Sequence, residues 1–310
     1  MQTFQRIYQG ESDQRRMAAL ARGFPAAHLH VADLPYRLSS WALDDSDRAS
    51  LWFNAEQDLV AWAVLQSPFW TIDITCHPEA VKDLYPQILA WADERARAIL
   101  ETAGGRPAWF INVFANQTGR IRDLEAAGFV SPANAGQDAW SKVLMQRPAE
   151  MPVKHFSLPA GFTVRPLAGV NEVEAYVELH RSVFESKNMT VEWRKRTLRQ
   201  TEYRHDLDLV VATPDGRLAA FCFGWLNQGM GSAPSGQIEP LGCHKDFRKY
   251  ALGRSVLAEA MRRLQTCGAQ SLYVETDNYR NTAFLLYVSL GFRVLQDVLV
   301  YRKDYADSPG

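Results

Sequence analysis

Apolar residues along this chain come in short runs broken by polar turns, and two longer stretches carry helical spacing. In the second half, Leu207–Thr213 and Arg217–Leu226 flank Pro214-Asp215-Gly216. Apolar, β-branched and aromatic runs around such a turn predict an antiparallel hairpin. A strand ending in Cys-His, Ile238–His244, comes next. Leu252, Val256, Leu257, Ala260, Met261 and Leu264 then recur on one face of an amphipathic helix. A further strand, Ser271–Asp277, precedes a short helix that closes on Gly291-Phe292.

The first half repeats this order. Ala49–Asn54 and Leu59–Leu65 form the hairpin, Ile72–His77 is the strand ending in Cys-His, and Ala108–Phe114 is the later strand. Leu84, Ile88, Trp91, Ala92, Arg95, Ala96 and Ile99 mark the long helix, and Leu124–Phe129 closes on Gly-Phe. Cys76 and Gly128 lie 52 positions apart, Cys243 and Gly291 48 apart, a difference the Ala103-Gly104-Gly105 loop absorbs. Shared order, spacing and signatures predict a tandem duplication of one α/β unit. Between the copies, Gln146–Ala160 carries Pro148, Pro152 and Pro159 without helical or strand period. Proline fixes φ and withholds a donor, so this segment reads as an extended connector. The expected division is residues 1–147, a linker over 148–160, and 161–310.

Composition narrows the function. The 310 residues are 47% apolar, which can fill two ordinary cores, so a disordered chain is excluded. Thirty-four basic against 35 acidic residues leave a net charge of −1, which provides no global attraction for nucleic acid. Four scattered cysteines without a Cys-x-x-Cys pair argue against a disulfide framework and structural zinc, and no metal is expected. The opening residues lack an apolar signal core, and no run of eighteen uncharged apolar residues occurs, so a soluble cytoplasmic protein without membrane partners is expected.

The candidate chemistry lies in Ile238–Arg254, IEPLGCHKDFRKYALGR. A strand ends at Cys243, a turn passes through His244-Lys245-Asp246, and a helix opens around Arg248 to Gly253. The first amides of a helix lack partners inside it, and its dipole favours an anion there. Small residues at Ala251 and Gly253 permit close approach, and Arg248, Lys249 and Arg254 add positive charge. The arrangement suits a phosphate or pyrophosphate. It contains neither the P-loop nor the dinucleotide-binding glycine pattern.

The run Arg248-x-x-Ala251-x-Gly253, between Leu-Gly-Cys-His and a long helix, resembles the acetyl-CoA motif of the GNAT N-acetyltransferase superfamily, which reads Arg/Gln-x-x-Gly-x-Gly/Ala. Tyr287-x-x-x-Gly291-Phe292 resembles that superfamily's next signature. The resemblance covers about Phe162 to Lys303, and the doubled layout is similar to tandem members. It implies an α/β (α+β) fold of two tandem domains, each a mixed, mostly antiparallel twisted sheet flanked by helices. It also implies acetyl-CoA as co-substrate and transfer to a primary amine, expected to be a small molecule, by direct attack. Leu241 and Cys243 would lie on a splayed strand that pairs with pantetheine. Backbone amides of Lys249, Tyr250, Ala251, Leu252, Gly253 and Arg254, with Arg248 nearby, would cradle the pyrophosphate. Tyr287 would protonate the leaving thiolate as general acid; its other reading is a core tyrosine of the last helix.

Ala251 departs from the glycine usual at its position, and its methyl is accommodated if the backbone there is helical. The superfamily's asparagine falls on Arg280, leaving Asn281 as the candidate CoA contact. The attacking amine must be neutral, which requires a proton acceptor. Glu239 is the candidate base because it shares parity, and hence a strand face, with Leu241 and Cys243. Its alternative is a solvent-facing or arginine-paired charge, and Glu275 is a second candidate. His244 reads as a turn stabiliser and Cys243 as a small buried strand residue. Glu185, in the loop after a predicted helix, is placed to hold a cationic amine or simply to be solvated.

The first repeat has no such motif. Cys76–Pro86 contains no glycine, Glu79 and Asp83 would repel a pyrophosphate, and Leu124 replaces the tyrosine. The first copy is therefore expected to be a degenerate, non-catalytic domain. The competing function is a CoA or acyl-CoA sensor without turnover, and a monomer or homodimer is expected.

Overall fold

The computed structural model describes residues 2–131, 141–229, 233–277 and 281–306. They fall into two compact units, one of residues 1–143, 277–279 and 296–310, the other of 144–276 and 280–295.

In the first unit the order is β1 (Thr3–Ile7), α1 (Glu11–Gly23), α2 (Leu34–Leu38), β2 (Ala49–Asn54), β3 (Leu59–Gln66), β4 (Thr71–Cys76), α3 (Val81–Ala98), β5 (Ala108–Phe114) and α4 (Thr118–Ala126). β1 to β4 pair antiparallel in sequence order, and β4 meets β5 in parallel only at Thr71↔Phe110. The apolar stripe of α3 explains its packing: Leu84, Ile88, Ala92 and Ala96 are buried. Trp91 and Arg95 stay partly exposed at its margin, with Trp91 edge-on to Trp52 at 5.7 Å and Arg95 donating to Asp47 at 2.8 Å.

The second unit contains β6 (Ser141–Pro148), β7 (Thr163–Pro166), α5 (Val173–Phe184), α6 (Val191–Leu198), β8 (Asp208–Ala212), β9 (Leu218–Asn227), β10 (Ser235–Cys243), α7 (Leu252–Thr266), β11 (Ser271–Asp277) and α8 (Asn281–Ser289). Its sheet runs β7-β8-β9-β10-β11-β6. All six α7 residues expected on the inner face are buried. Gly236 lets that helix close on the sheet, since a Cβ there would sit 2.9 Å from Leu264. The fold is mixed α/β with mostly antiparallel pairing, as the resemblance implies.

The sixth strand of each sheet departs from sequence order. β6 follows the first repeat along the chain yet lies beside β11. β12 (Arg293–Asp304) follows the second repeat yet pairs with β5 from Val298↔Phe114 to Asp304↔Ala108. The compact units therefore differ from contiguous halves divided at residue 147. The start of the expected linker is also held in place. Arg147 is 1% exposed and donates to the carbonyls of Leu290 (2.8 Å), Met151 (2.9 Å) and Pro152 (3.0 Å), while the Ala149 amide donates to Gln270 at 2.9 Å.

Candidate active site

The site begins where β10 leaves β11. Their parallel pairing comprises Ser235↔Ser271, Gly236↔Leu272 and Gln237↔Tyr273, so the rest of β10 presents an open backbone edge. On its other side β10 pairs with β9 through Ile238↔Gly224 and resumes at Leu241↔Cys222, which leaves one extra residue on β10. This bulge interrupts the alternation of faces. Opposed residues share a face, so Ile238, Leu241 and Cys243 lie with Gly224, Cys222 and Ala220. The expectation that simple parity puts Glu239 with Leu241 and Cys243 is thereby corrected, because parity does not run through a bulge.

Glu239 sits half-buried in that bulge, and its carbonyl accepts from Trp225 Nε1 at 2.7 Å. Its charge reaches the Tyr287 phenol. Burial, Glu239 and then Cys222 push Tyr287 well above the usual tyrosine range, keeping the hydroxyl protonated. Tyr287 is 6% exposed and its ring stands edge-on to Phe292 at 5.8 Å.

The Gly-Phe signature itself is a helix terminator. Gly291 has φ +90° and the Phe292 amide donates back to the Tyr287 carbonyl at 3.1 Å. Gly128 has φ +83° and the Phe129 amide donates to Leu124 at 3.0 Å in the same way. Both are Schellman-type caps, which need a left-handed residue. The signature is thus structural in both units, and only the residue at Tyr287 or Leu124 differs in chemistry.

At the helix mouth, Lys245–Tyr250 form a 3₁₀ turn capped by His244, whose Nδ1 accepts from the Asp246 amide at 3.3 Å. Ala251 then adopts φ 56°, ψ 22° before α7 opens. The condition of a helical backbone at Ala251 is therefore not met, and for an L-residue this left-handed conformation costs about 1–2 kcal/mol. The Arg254 and Ser255 amides both donate to the Ala251 carbonyl at 3.1 Å. Among the described residues, the amides of Ala251, Leu252 and Gly253 have no backbone partner. That of Gly253 faces the Cys243 thiol and partly offsets the burial that pushes this thiol upward. Arg248, Lys249, Tyr250 and Arg254 are exposed, with Tyr250 5.7 Å from Phe162 and Arg254 5.6 Å from Phe156. The Leu252 side chain is fully buried, so this residue offers only its backbone. The Asn281 side chain lies outside the described residues, as do 278–280.

Residues 173–292 match the profile of the acetyltransferase (GNAT) family. This segment is a GNAT acetyltransferase domain. A mycothiol acetyltransferase of Thermobispora bispora is 24% identical over 186 residues, 58% of this chain and 63% of that relative's own length. A GCN5-related N-acetyltransferase of Sphaerobacter thermophilus aligns over 99% of this chain and 96% of its own, with 19% identity and a TM-score of 0.65. A tandem GNAT protein from the clavulanic acid biosynthesis pathway aligns over 99% and 100%, with 11% identity and a TM-score of 0.64. Among the described residues no helix is long and apolar enough to cross a membrane, and no cluster of three or more metal-ligating side chains occurs.

Within the GNAT domain, a buried polar network escaped the sequence reading. Arg194 and Asp208 form an ion pair at 0% and 1% exposure, Tyr203 donates to Asp208 at 3.0 Å, and the Arg194 guanidinium lies 3.9 Å from the Tyr176 ring centre. The Tyr176 hydroxyl is buried without a hydrogen-bond partner among the described residues, and the Glu239 charge reaches it too. Nearby, burial and the Arg194 charge push His180 down to about 3. The available signal was polar groups at core spacing on α5, where Val173, Tyr176, Val177 and His180 share the buried face. Glu185 is exposed at the left-handed end of that helix.

The equivalent place in the first unit is built differently. β3 and β4 pair without interruption from Ala61↔Cys76 to Gln66↔Thr71. Ala80 is right-handed, and the amides of Ala80 and Val81 donate to the His77 carbonyl at 2.9 and 3.2 Å. Leu124 is fully buried.

Proposed function

We propose that the second unit is an acetyl-CoA-dependent N-acetyltransferase acting on a primary amine of a small molecule. The observation that carries this reading is the coincidence of an open strand edge on β10, three amides without a backbone partner at the helix mouth that follows it, and a buried protonated tyrosine. The amides of Ala251, Leu252 and Gly253, flanked by Arg248, Lys249 and Arg254, fit a diphosphate. The free edge beside Leu241 and Cys243 fits the amides of pantetheine. Bound acetyl-CoA supplies an activated acetyl thioester.

The chain's own groups move the protons. Glu239 accepts a proton from the acceptor ammonium, so that the amine attacks in its neutral form. Tyr287, held protonated, donates to the departing sulfur and is reprotonated from solvent. Tyr176, with an unpartnered hydroxyl in the reach of Glu239, orients the amine. The first unit takes no part in the chemistry.

A panel of small amines assayed by free-thiol release tests this. Turnover is expected for at least one amine. Tyr287→Phe should depress turnover by roughly 10²–10⁴-fold, the usual worth of a positioned acid, while CoA affinity stays unchanged. Tight CoA binding with no thiol release for any amine would instead support a CoA sensor.

A further inference from the structure

We propose that the first unit binds a short-chain carboxylate in the splay between β4 and β5. A cavity of about 60 Å³ opens there, room for a small acid in place of a few waters. Its polar end is formed by Arg120 and His28, each 8% exposed. Among the described residues Arg120 forms no ion pair. Its contacts are a 3.3 Å hydrogen bond to the Ala27 carbonyl and the Tyr85 ring 5.3 Å away. A buried guanidinium without a counter-charge is costly, and its planar fork suits two carboxylate oxygens.

His28 supplies the independent observation. Its Nε2 is buried and has no hydrogen-bond partner among the described residues. Burial, aided by Arg120, pushes this imidazole down to about 3, so it is neutral and can donate through one ring nitrogen without adding charge. The nearest acid on the cavity wall is already committed: Asp73 receives two bonds from Arg37 at 2.8 Å and one from Thr71 at 3.0 Å. Trp62, Ile72 and Val113 add apolar surface to the lining. One anionic head and a short hydrocarbon tail match these surfaces. A diphosphate does not, since the cavity is small and the Ala80 and Val81 amides at the adjacent helix mouth are spent. The inference stands apart from the transferase reading.

Titration of the full chain with ¹³C-labelled propionate, followed by NMR at constant ionic strength, tests the site. Saturable binding is expected, weakened about tenfold or more by Arg120→Gln, the scale of a lost charge-assisted bond. Val113→Phe, which fills the cavity and keeps the arginine, should weaken it likewise. Titrating CoA into the same samples reads the second unit alone and keeps the two readings separate, while urea melts of each variant verify that the first unit is folded. Absence of saturation, binding undiminished in both variants, or equal competition by inorganic phosphate would each overturn the carboxylate site.

Discussion

The two helix mouths differ in a few backbone choices rather than in architecture. In the first unit the chain passes from Cys76 into α3 through a right-handed Ala80, and His77 absorbs the leading amides. In the second, a 3₁₀ turn and a left-handed Ala251 intervene, and among the described residues three amides have no backbone partner. The preceding strand differs in the same spirit: β4 pairs regularly, whereas β10 bulges where Glu239 sits. His77 and His244 cap their turns alike, each Nδ1 accepting at 3.3 Å, so the scaffold is common to both. An extra strand residue and one inverted φ separate the closed mouth from the one whose amides lack backbone partners.

The contrast is most sharply tested at Gly253. A carboxylate introduced among the open amides by Gly253→Glu should weaken CoA by roughly a hundredfold or more. Calorimetry on the parent should show one CoA site per chain; two sites would erase the distinction between the units.

A property the units share gives the next test. His28 in the first and His180 in the second are each pushed down to about 3 by burial. The unfolded chain takes up these protons near pH 6.5, so their stabilisation is full above that pH and is lost as pH falls towards 3. Each histidine should add up to about 1.4 kcal/mol per pH unit to the acid slope of its own unit. Urea midpoints between pH 7 and 4.5 should show His28→Phe flattening one transition and His180→Phe the other. An unchanged slope in either variant would mean that histidine is not held neutral.

The smallest effect expected is a gain. Ala251→Gly removes the left-handed penalty but adds freedom to the unfolded chain, for a net stabilisation of about 0.5–1 kcal/mol in urea melts. A loss of stability would mean that the inverted φ of Ala251 is not the conformation in solution.

Local features were legible and non-local ones were not. The hairpins, the Cys-His strand ends and the Gly-Phe closures follow from turn chemistry and periodicity over a few residues, and each appears where expected. The bulge escaped because it belongs to the register between β9 and β10, which neither strand encodes alone. The sequence leaves the conformation of Ala251 open because alanine is a good helix former and only its neighbours impose a positive φ. Nothing in the local sequence marks Arg120, Arg147 or Arg194 for burial, yet each is buried by other segments of the chain. The exchanged strands β6 and β12 escaped for the same reason: pairing across more than a hundred positions leaves no mark on local pattern.

That exchange has a consequence during synthesis. As the polypeptide emerges from the ribosome, the Ala108–Phe114 strand must wait for nearly two hundred more residues before Val298–Asp304 arrives to cover its edge. Until then its backbone donors and acceptors are available to any passing chain. Completion of the first unit is thereby tied to synthesis of residues 298–304, long after its other strands have emerged.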